Sequence, residues 1–283
     1  MSAVAASFNG QLNKARKAIL SPSVRQAIIA IGAFLIFWEV GARSGEWFGF
    51  TIPWVGRVPA PTAVIAAWIP LLGDLGYWQS WWLSFSRVLG GFLAAMVVGI
   101  PLGLLMAVNR LFYDLSFPVF EVLRPIPPLA WVPASIIFWP TQEMSIAFVT
   151  FLGAFYTVVI NVVGGAKSID VRYFQSARSM GASGADIFRR IILPATLPSI
   201  FVGAAVGMGI TWEVVVAAEM ISGGGSSIGG SGGGLGFFIW NSYVGGSYEQ
   251  IVVGMISIGI AGYLSSSAIR WLGHRFTPWI KSR

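Results

Sequence analysis

The stretch Gln175–Ser199 reads QSARSMGASGADIFRRIILPATLPS and is the longest segment that is both charged and regular in an otherwise apolar chain. A short helix is predicted to end near Gly181. Ser183 and Asp186 then form an S-x-x-D capping-box pattern, which predicts a second helix. This second helix should stop before Pro194, because proline cannot continue it. Two short helices joined just after Gly181 would form a docking surface, and the alternative is a solvated connecting loop.

The composition around this stretch is that of an integral membrane protein. Hydrophobic residues make up 55% of the chain and charged residues only 10%, against about 25% charge in a soluble domain. We therefore expect an all-α integral membrane protein. The net charge of +7 fits cations retained on the cytoplasmic side of a membrane. No basic run with interleaved aromatics favours nucleic-acid binding.

Six transmembrane helices are predicted, since each needs about 20 mostly apolar residues. The segment 129–139 is short and spans only if residues 127–128 and their flanks contribute or if the helix is broken. Residues 109–128 are interpreted as a short return on the cytoplasmic side, and 222–236 as a flexible Gly/Ser-rich loop. Gly99, Pro101 and Gly103 predict a kink or a close helix contact. The predicted spans are 26–42, 88–108, 129–139, 144–163, 197–221 and 251–272.

The distribution of cations orients these spans. Of the 18 Lys and Arg residues, all but Arg43, Arg57 and Arg87 fall on the side of the two termini. This asymmetry predicts cytoplasmic N- and C-termini and places Gln175–Ser199 in the cytoplasm. Residues 1–25 are interpreted as a cytoplasmic tail rather than a cleaved signal peptide. Residues 26–283 then form a single transmembrane domain with a cytoplasmic loop at 164–198.

The residues required for common catalytic chemistry are missing from the sequence. The absence of cysteine excludes disulfides and Cys-ligated metal, and the single histidine, His274, cannot form a metal site alone. The run 165–168 lacks the glycines of a phosphate-binding loop and follows no strand. We predict no catalytic residue, no metal site and no bound cofactor, so the chain is not expected to be an enzyme.

Two carboxylates lie inside predicted spans, Glu213 and Glu219. Such groups are costly in a bilayer and usually face a bundle interior or an aqueous path. At about 100° per residue, Glu219 shares a helical face with Trp212 and Met208. These residues are candidates for a translocation path, and the alternative is that each carboxylate accepts hydrogen bonds from a neighbouring helix.

The stretch Gln175–Ser199 resembles the cytoplasmic loop of binding-protein-dependent ABC importer permeases. That motif is Glu-Ala-Ala, three residues, Gly, and then a helix ending in Leu-Pro; here Gln175 and Ser176 replace its first two residues. The strings at 58–62, 124–131 and 216–220 look like the nitrate/sulfonate/taurine permease subfamily, which also includes bicarbonate permeases. The positions that the resemblance assigns to ATPase coupling are Gln175, Ser176, Ala177, Met180, Gly181, Ala182, Phe188, Leu193 and Pro194.

The resemblance implies a type I ABC importer permease in a bacterial inner membrane. It further implies a homodimer of six-helix subunits, two cytoplasmic ATPase subunits that bind ATP, and an extracytoplasmic binding protein that delivers a small anion. The segment 164–198 would act as the coupling loop. The matching path positions are Trp131, Trp212 and Glu219, beside Met208 and Glu213. The alternative function is a standalone channel or ion-coupled transporter that uses Glu213 and Glu219.

Overall fold

A computed structural model describes residues 22–221 and 233–279, and these residues are helical with connecting turns. They divide into two compact units between Pro70 and Leu71. The first unit contains helix α1 (Pro22–Ala42), helix α2 (Ser44–Phe48), a 3-10 turn (Val55–Arg57) and most of α3 (Pro61–Leu71). Ion pairing explains how Glu39 is accommodated near the end of α1. Its carboxylate accepts from Arg43 Nε at 2.6 Å and from the Thr62 hydroxyl at 2.8 Å.

The second unit contains the long helices and the connections between them. Asp74 caps the first of these helices by accepting the N–H groups of Gly76 and Tyr77. The helices of this unit are α4 (Leu75–Val108), α5 (Arg110–Leu123), α6 (Val132–Phe138), α7 (Gln142–Lys167), α8 (Val171–Ser179), α9 (Gly184–Ile187), α10 (Leu193–Ile221), α11 (Gly234–Val244) and α12 (Tyr248–Phe276), with a 3-10 turn at Pro128–Trp131.

Helix α7 packs between α4 and α10 through glycines that let the backbones approach closely. An added Cβ at Gly103 of α4 would lie 2.8 Å from Val162 of α7. An added Cβ at Gly203 of α10 would lie 2.7 Å from Asn161. Gly99 and Gly103 both face α7, so the close helix contact predicted for this motif is confirmed.

Five helices in the described residues are long and apolar enough to cross a bilayer: α1, α4, α7, the continuous α9–α10, and α12. The predicted span at 129–139 is instead a 3-10 turn followed by α6, which together are too short to cross about 30 Å of hydrocarbon. The connection is made by a broken segment, residues 110–138, which consists of α5, the 3-10 turn and α6. This segment runs antiparallel to α7. Successive contacts pair Tyr113 with Lys167, Phe120 with Tyr156, Trp131 with Phe148 and Ser135 with Ser145.

This packing corrects the interpretation of residues 109–128 as a short return outside the spans. Helix α5 lies against α4 and α7, where Phe120 joins a core cluster with Met106 and Val159. Arg124 was predicted to be one of the cytoplasmic cations. It instead lines a cavity together with Tyr156, which lies near the middle of α7. At 1.5 Å per residue, Tyr156 lies roughly 16 Å from the Lys167 end of α7. Arg124 therefore lies within the depth of the bundle.

The predicted helix stop before Pro194 is wrong. Residues 188–192 form one π-helical turn in which the N–H of Leu193 donates to the carbonyl of Phe188, and the helix continues through Pro194 into α10. Proline lacks an N–H and crowds the carbonyl four residues earlier, and a wider turn just before it relieves that crowding. The predicted loop 164–198 thus contains the end of α7, all of α8 and α9, and the start of α10.

The predicted Gly/Ser-rich loop 222–236 lies partly outside the described residues. Its described end is ordered, because Gly234–Gly236 form the first turn of α11 and are buried. The predicted flexibility is wrong for this part of the loop, because the backbone N–H of Gly236 donates to the buried carboxylate of Glu219.

Candidate functional site

The segment after α7 forms two capped helices. Asp170 caps α8, and its carboxylate accepts the backbone N–H of Arg172 at 2.9 Å. Arg172 also pairs with this carboxylate through its guanidinium. The hydrogen bonds from the Arg172 guanidinium lower the pKa of Asp170 below its ordinary value, and the bond from the Arg172 backbone N–H lowers it further. The start of α8 is thereby fixed directly after Lys167.

Helix α8 ends in a Schellman motif, as the glycine near its predicted end suggests. The N–H of Ala182 donates to the carbonyl of Ala177, and the N–H of Gly181 donates to that of Arg178. Gly181 has a φ of +80°, a left-handed conformation that costs other residues about 1–2 kcal/mol. The predicted helix end is confirmed.

Helix α9 begins with the predicted capping box. The Ser183 hydroxyl accepts from the backbone N–H of Asp186, and the Asp186 carboxylate accepts from the backbone N–H of Ser183. Through the π turn this helix is continuous with α10. Helices α9 and α10 therefore form one continuous helical segment that is long and apolar enough to span a membrane.

The nine predicted coupling residues separate into an exposed group and a packed group. Met180 is 79% exposed at the tip between the helices. Phe188 and Leu193 pack on a core cluster formed by α4, α7 and α10. The remaining exposed positions are Gln175, Ser176 and Gly181, whereas Ala177 is buried and Ala182 and Pro194 are half-buried. The structure thus links an exposed tip to the helical core.

A groove at the start of α8 was not predicted from the sequence. It has a volume of about 670 Å³ and opens between the start of α8 and the start of α10. Its lining residues are Ser168, Ile169, Asp170, Tyr173, Arg190, Ile191, Pro194, Ala195 and Trp279. Trp279 comes from beyond α12, at a distance in sequence that local patterns do not reach.

At the opposite end of α10, a buried ion network holds Glu219. The side chain of Glu219 is 0% exposed, and Arg87 Nη1 of α4 donates to its Oε1 at 2.9 Å. Arg87 also binds Glu143 in the first turn of α7, with Nε donating to Oε2 at 2.9 Å. Ser84 Oγ lies 2.8 Å from Glu219 Oε2. One arginine thus joins α4, α7 and α10.

The start of α11 completes this network with its backbone. The N–H of Gly236 donates to Glu219 at 2.9 Å, and the N–H of Leu235 donates to Ser84 Oγ at 2.8 Å. Gly234 has a φ of +84°, and an added Cβ there would lie 2.2 Å from Glu219 Oε1. Glycine is required because the carboxylate approaches the backbone so closely.

Arg87, Ser84 and Glu143 were not identified from the sequence as members of the network that holds Glu219. The available signal was the need to balance charge, because an intramembrane carboxylate pairs with a cation. Arg87 was a candidate for that cation, since it directly precedes the predicted span 88–108. A Glu219 that accepts hydrogen bonds from neighbouring helices was one of the two predicted arrangements, and it is the one in the structure.

The predicted path residues do not share one surface. Met208, Trp212 and Glu219 lie on the buried face of α10, and Trp212 Nε1 donates to Ser265 Oγ of α12 at 2.9 Å. Trp131 is half-buried against Phe148, whereas Glu213 is exposed on the other face of α10. A role in translocation stays a prediction for all five.

Several long apolar helices, with buried charged groups paired between them, are typical of a multi-span membrane protein. Solved structures share this fold. The inward-facing methionine ABC transporter MetNI matches with a TM-score of 0.55 at 21% identity, over 71% of this chain and 94% of that chain.

Sequence comparison identifies the family. Residues 99–282 match the family described as "Binding-protein-dependent transport system inner membrane component". The nitrate import permease protein of Synechocystis sp. is 35% identical over 92% of both chains. The bicarbonate transport system permease protein of Synechococcus elongatus is 31% identical, over 87% of this chain and 86% of that protein. The taurine transport system permease protein of Escherichia coli is 29% identical, over 96% and 97%.

This chain belongs to the binding-protein-dependent transport system inner membrane component family. It is a membrane permease of the ABC importer class, and its all-helical fold is that of a type I ABC importer permease. The family is a membrane component and not a catalytic subunit.

Proposed function

We propose that this chain forms the translocation path of an ATP-driven importer for a small anion of the nitrate, sulfonate/taurine or bicarbonate class. The observation that carries the proposal is the exposed tip between α8 and α9, which is built on the same continuous helix as α10. The tip couples to a separate ATPase that binds and hydrolyses ATP.

The ATPase would contact the permease at Met180 and Gly181. Its movement would be transmitted to the bundle through the apolar contacts of Phe188 and Leu193. Phe188 and Leu193 pack against Leu104 of α4, Val158 of α7 and Ile200 of α10. Because interiors are close-packed and transmit strain, closure of the ATPases would move these three helices together. The π turn at 188–192 lies between the tip and the bundle, and π turns frequently occur at functional positions.

Membership of the importer permease family supports the proposed partners. Two copies of the chain form a homodimer, each copy engages a cytoplasmic ATPase subunit, and an extracytoplasmic binding protein docks at the opposite end, where Glu219 orders α11. The excess of Lys and Arg on one side supports cytoplasmic N- and C-termini in a bacterial inner membrane. Lipid surrounds the exposed apolar side chains of α1, such as Ile28 and Phe34.

The small anion is supported by the relatives, whose names specify nitrate import, bicarbonate transport and taurine transport. These three solutes each carry an acidic oxyanion group. The ligand retained by the partner binding protein is the direct measurement of which one this importer carries.

An ion-coupled transporter that works through Glu213 and Glu219 is the weaker proposal. Glu219 is already bound by Arg87, Ser84 and Gly236, so its carboxylate is committed to structure. Uptake by the purified chain alone, driven by an ion gradient, would support that alternative.

Substitution of Gly181 tests the coupling. Valine at Gly181 is strained because φ is +80°, although open space surrounds the position. We expect G181V to reduce ATP-dependent uptake by at least tenfold in proteoliposomes that contain permease, ATPase and binding protein. The matched control is G184V, at a glycine that is equally open but has no positive φ. Wild-type uptake and ATPase association in G181V would refute coupling through this tip.

A further inference from the structure

The broken segment, α7 and α10 line an open cavity of about 250 Å³ that contains no predicted site residue. Its polar members come from both sides: Arg124 from the broken segment, and Tyr156 and Thr157 from α7. The apolar members are Pro128, Leu152, Gly153, Ile160 and Ile210. The lining contains no acidic residue.

The cavity lies near the middle of the bundle. Tyr156 is roughly 21 Å from the Gln142 end of α7 and roughly 16 Å from its Lys167 end, at 1.5 Å per residue. Ile210 belongs to α10, on the turn before the exposed Glu213. A solute in this cavity would be about half-way across the protein.

Arg124 differs from the other arginine that lies deep in the unit. Arg87 is buried and bound by Glu143 and Glu219. Among the described residues, the Arg124 side chain makes no ion pair or hydrogen bond, and it is exposed to the cavity side of the subunit. An ionised group at bilayer depth pairs with another or faces water. Arg124 therefore faces an aqueous cavity.

The neighbouring hydroxyls add neutral donors. The Tyr156 and Thr157 hydroxyls make no hydrogen bond to other side chains or carbonyls among the described residues, so they are available to a solute. A guanidinium presents a planar fork of donors that matches oxyanions bidentately. The apolar remainder of the lining limits the number of contacts, which suits a site that must release its ligand.

We propose that Arg124, with the Tyr156 and Thr157 hydroxyls, forms a transient binding site for a small oxyanion half-way along the translocation path. This inference rests on the proposed import function and adds the residues that contact the solute. The site supplies positive charge half-way along α7, in the aqueous cavity that Arg124 faces. Glu219 contributes no such contact, because it is held by Arg87.

The test uses the complete complex of permease, ATPase and binding protein in proteoliposomes, with labelled nitrate, bicarbonate and taurine in separate arms. In the arm that the wild type transports, we expect R124Q to lower uptake at least tenfold while ATP hydrolysis stays within twofold. R124K keeps the charge but loses the bidentate fork, so its uptake should be intermediate. The matched control is R110Q on the same broken segment, whose side chain is 95% exposed and outside the cavity; its uptake should stay within twofold.

A second variant covers the case in which R124Q does not assemble. The double variant Y156F/T157V keeps the shape of the lining and removes both hydroxyls, and we expect at least a threefold loss of uptake. Wild-type uptake in an assembled R124Q complex, or in the double variant, would overturn the site and leave the import function intact. Failure of the wild-type complex to take up any oxyanion with ATP would overturn the import function itself.

Discussion

The buried carboxylate of Glu219 organises one end of the permease. It is enclosed by an arginine from α4, a serine from the same helix and a backbone N–H of α11. Each of these groups would be costly to bury without the others. The network therefore specifies how α4, α7, α10 and α11 meet, and this is a structural use of a residue type that more often suggests transport chemistry.

Removal of Arg87 tests this structural role. R87M leaves Glu219 buried without a cation, and breaking a buried pair in this way costs about 3–5 kcal/mol. We expect a clearly lower thermal unfolding midpoint in detergent. The control R110M removes an exposed arginine whose carboxylate partner is 3.7 Å away, a surface pair worth about 0–1 kcal/mol. Equal midpoints for the two variants would show that the network does not stabilise the fold.

Residue-level prediction from sequence succeeded where the signal was local. Gly181 and the Ser183–Asp186 pair lie within a few positions of the helix ends that they determine, so the turn between α8 and α9 was readable. The partnership of Arg87 with Glu219 joins residues 132 positions apart. No periodicity carries that information, and only the cost of an unpaired charge pointed toward it.

At the scale of elements, the contact of α4 with α7 depends on glycine. An added Cβ at Gly91 would lie 2.1 Å from Thr150 Oγ1 and 2.9 Å from the backbone N of Phe151. Overpacking costs about 1–3 kcal/mol or more, so G91L should lower the unfolding midpoint and the yield of folded protein. The adjacent Gly90 is exposed, with open space around it. G90L is the matched control, and equal losses in both variants would contradict the close contact.

The start of α8 should depend on pH. The pKa of Asp170 is lowered by hydrogen bonds from Arg172, so the folded state binds a proton less readily than the unfolded segment. The stabilisation is complete above the ordinary aspartate pKa and is lost as pH falls through the lowered one. Hydrogen exchange of the α8 amides, corrected for the intrinsic pH dependence of exchange, should therefore accelerate in acid. In D170N this acceleration should be absent, and an identical acid response would contradict the assignment.

Elements were harder to predict where polar residues interrupt an apolar pattern. Helix α5 carries Asp114, Pro118 and Glu121, so its hydropathy does not resemble that of a spanning helix. It nevertheless packs along α7 and forms the first part of the broken segment that connects α4 to α7. The helix through Pro194 was missed for a related reason: proline normally ends a helix, and the π turn that accommodates it leaves no signature in the sequence.

At the scale of the whole molecule, three features are aligned along α7 and α10. The tip of α8 and α9 lies at one end, the cavity with Arg124 lies near the middle, and the network of Arg87 lies at the other end. In the proposed mechanism, this order provides an attachment for an ATPase, a contact for a solute, and a fixed frame at the far end. The helical membrane class was predictable because it depends on the overall composition. The family was predictable because the motif around Gly181 is local in the sequence. The cavity at Arg124 was not predictable, because its lining depends on how separate helices meet.

In the proposed mechanism, import requires a separate ATPase that acts through the tip at Gly181. The direct measurement is uptake of the binding protein's ligand into proteoliposomes that contain wild-type or G181V permease, with and without the ATPase and ATP. We predict uptake only for the wild type with ATPase, ATP and loaded binding protein together. Uptake by the permease alone, or undiminished uptake by G181V, would contradict the claim.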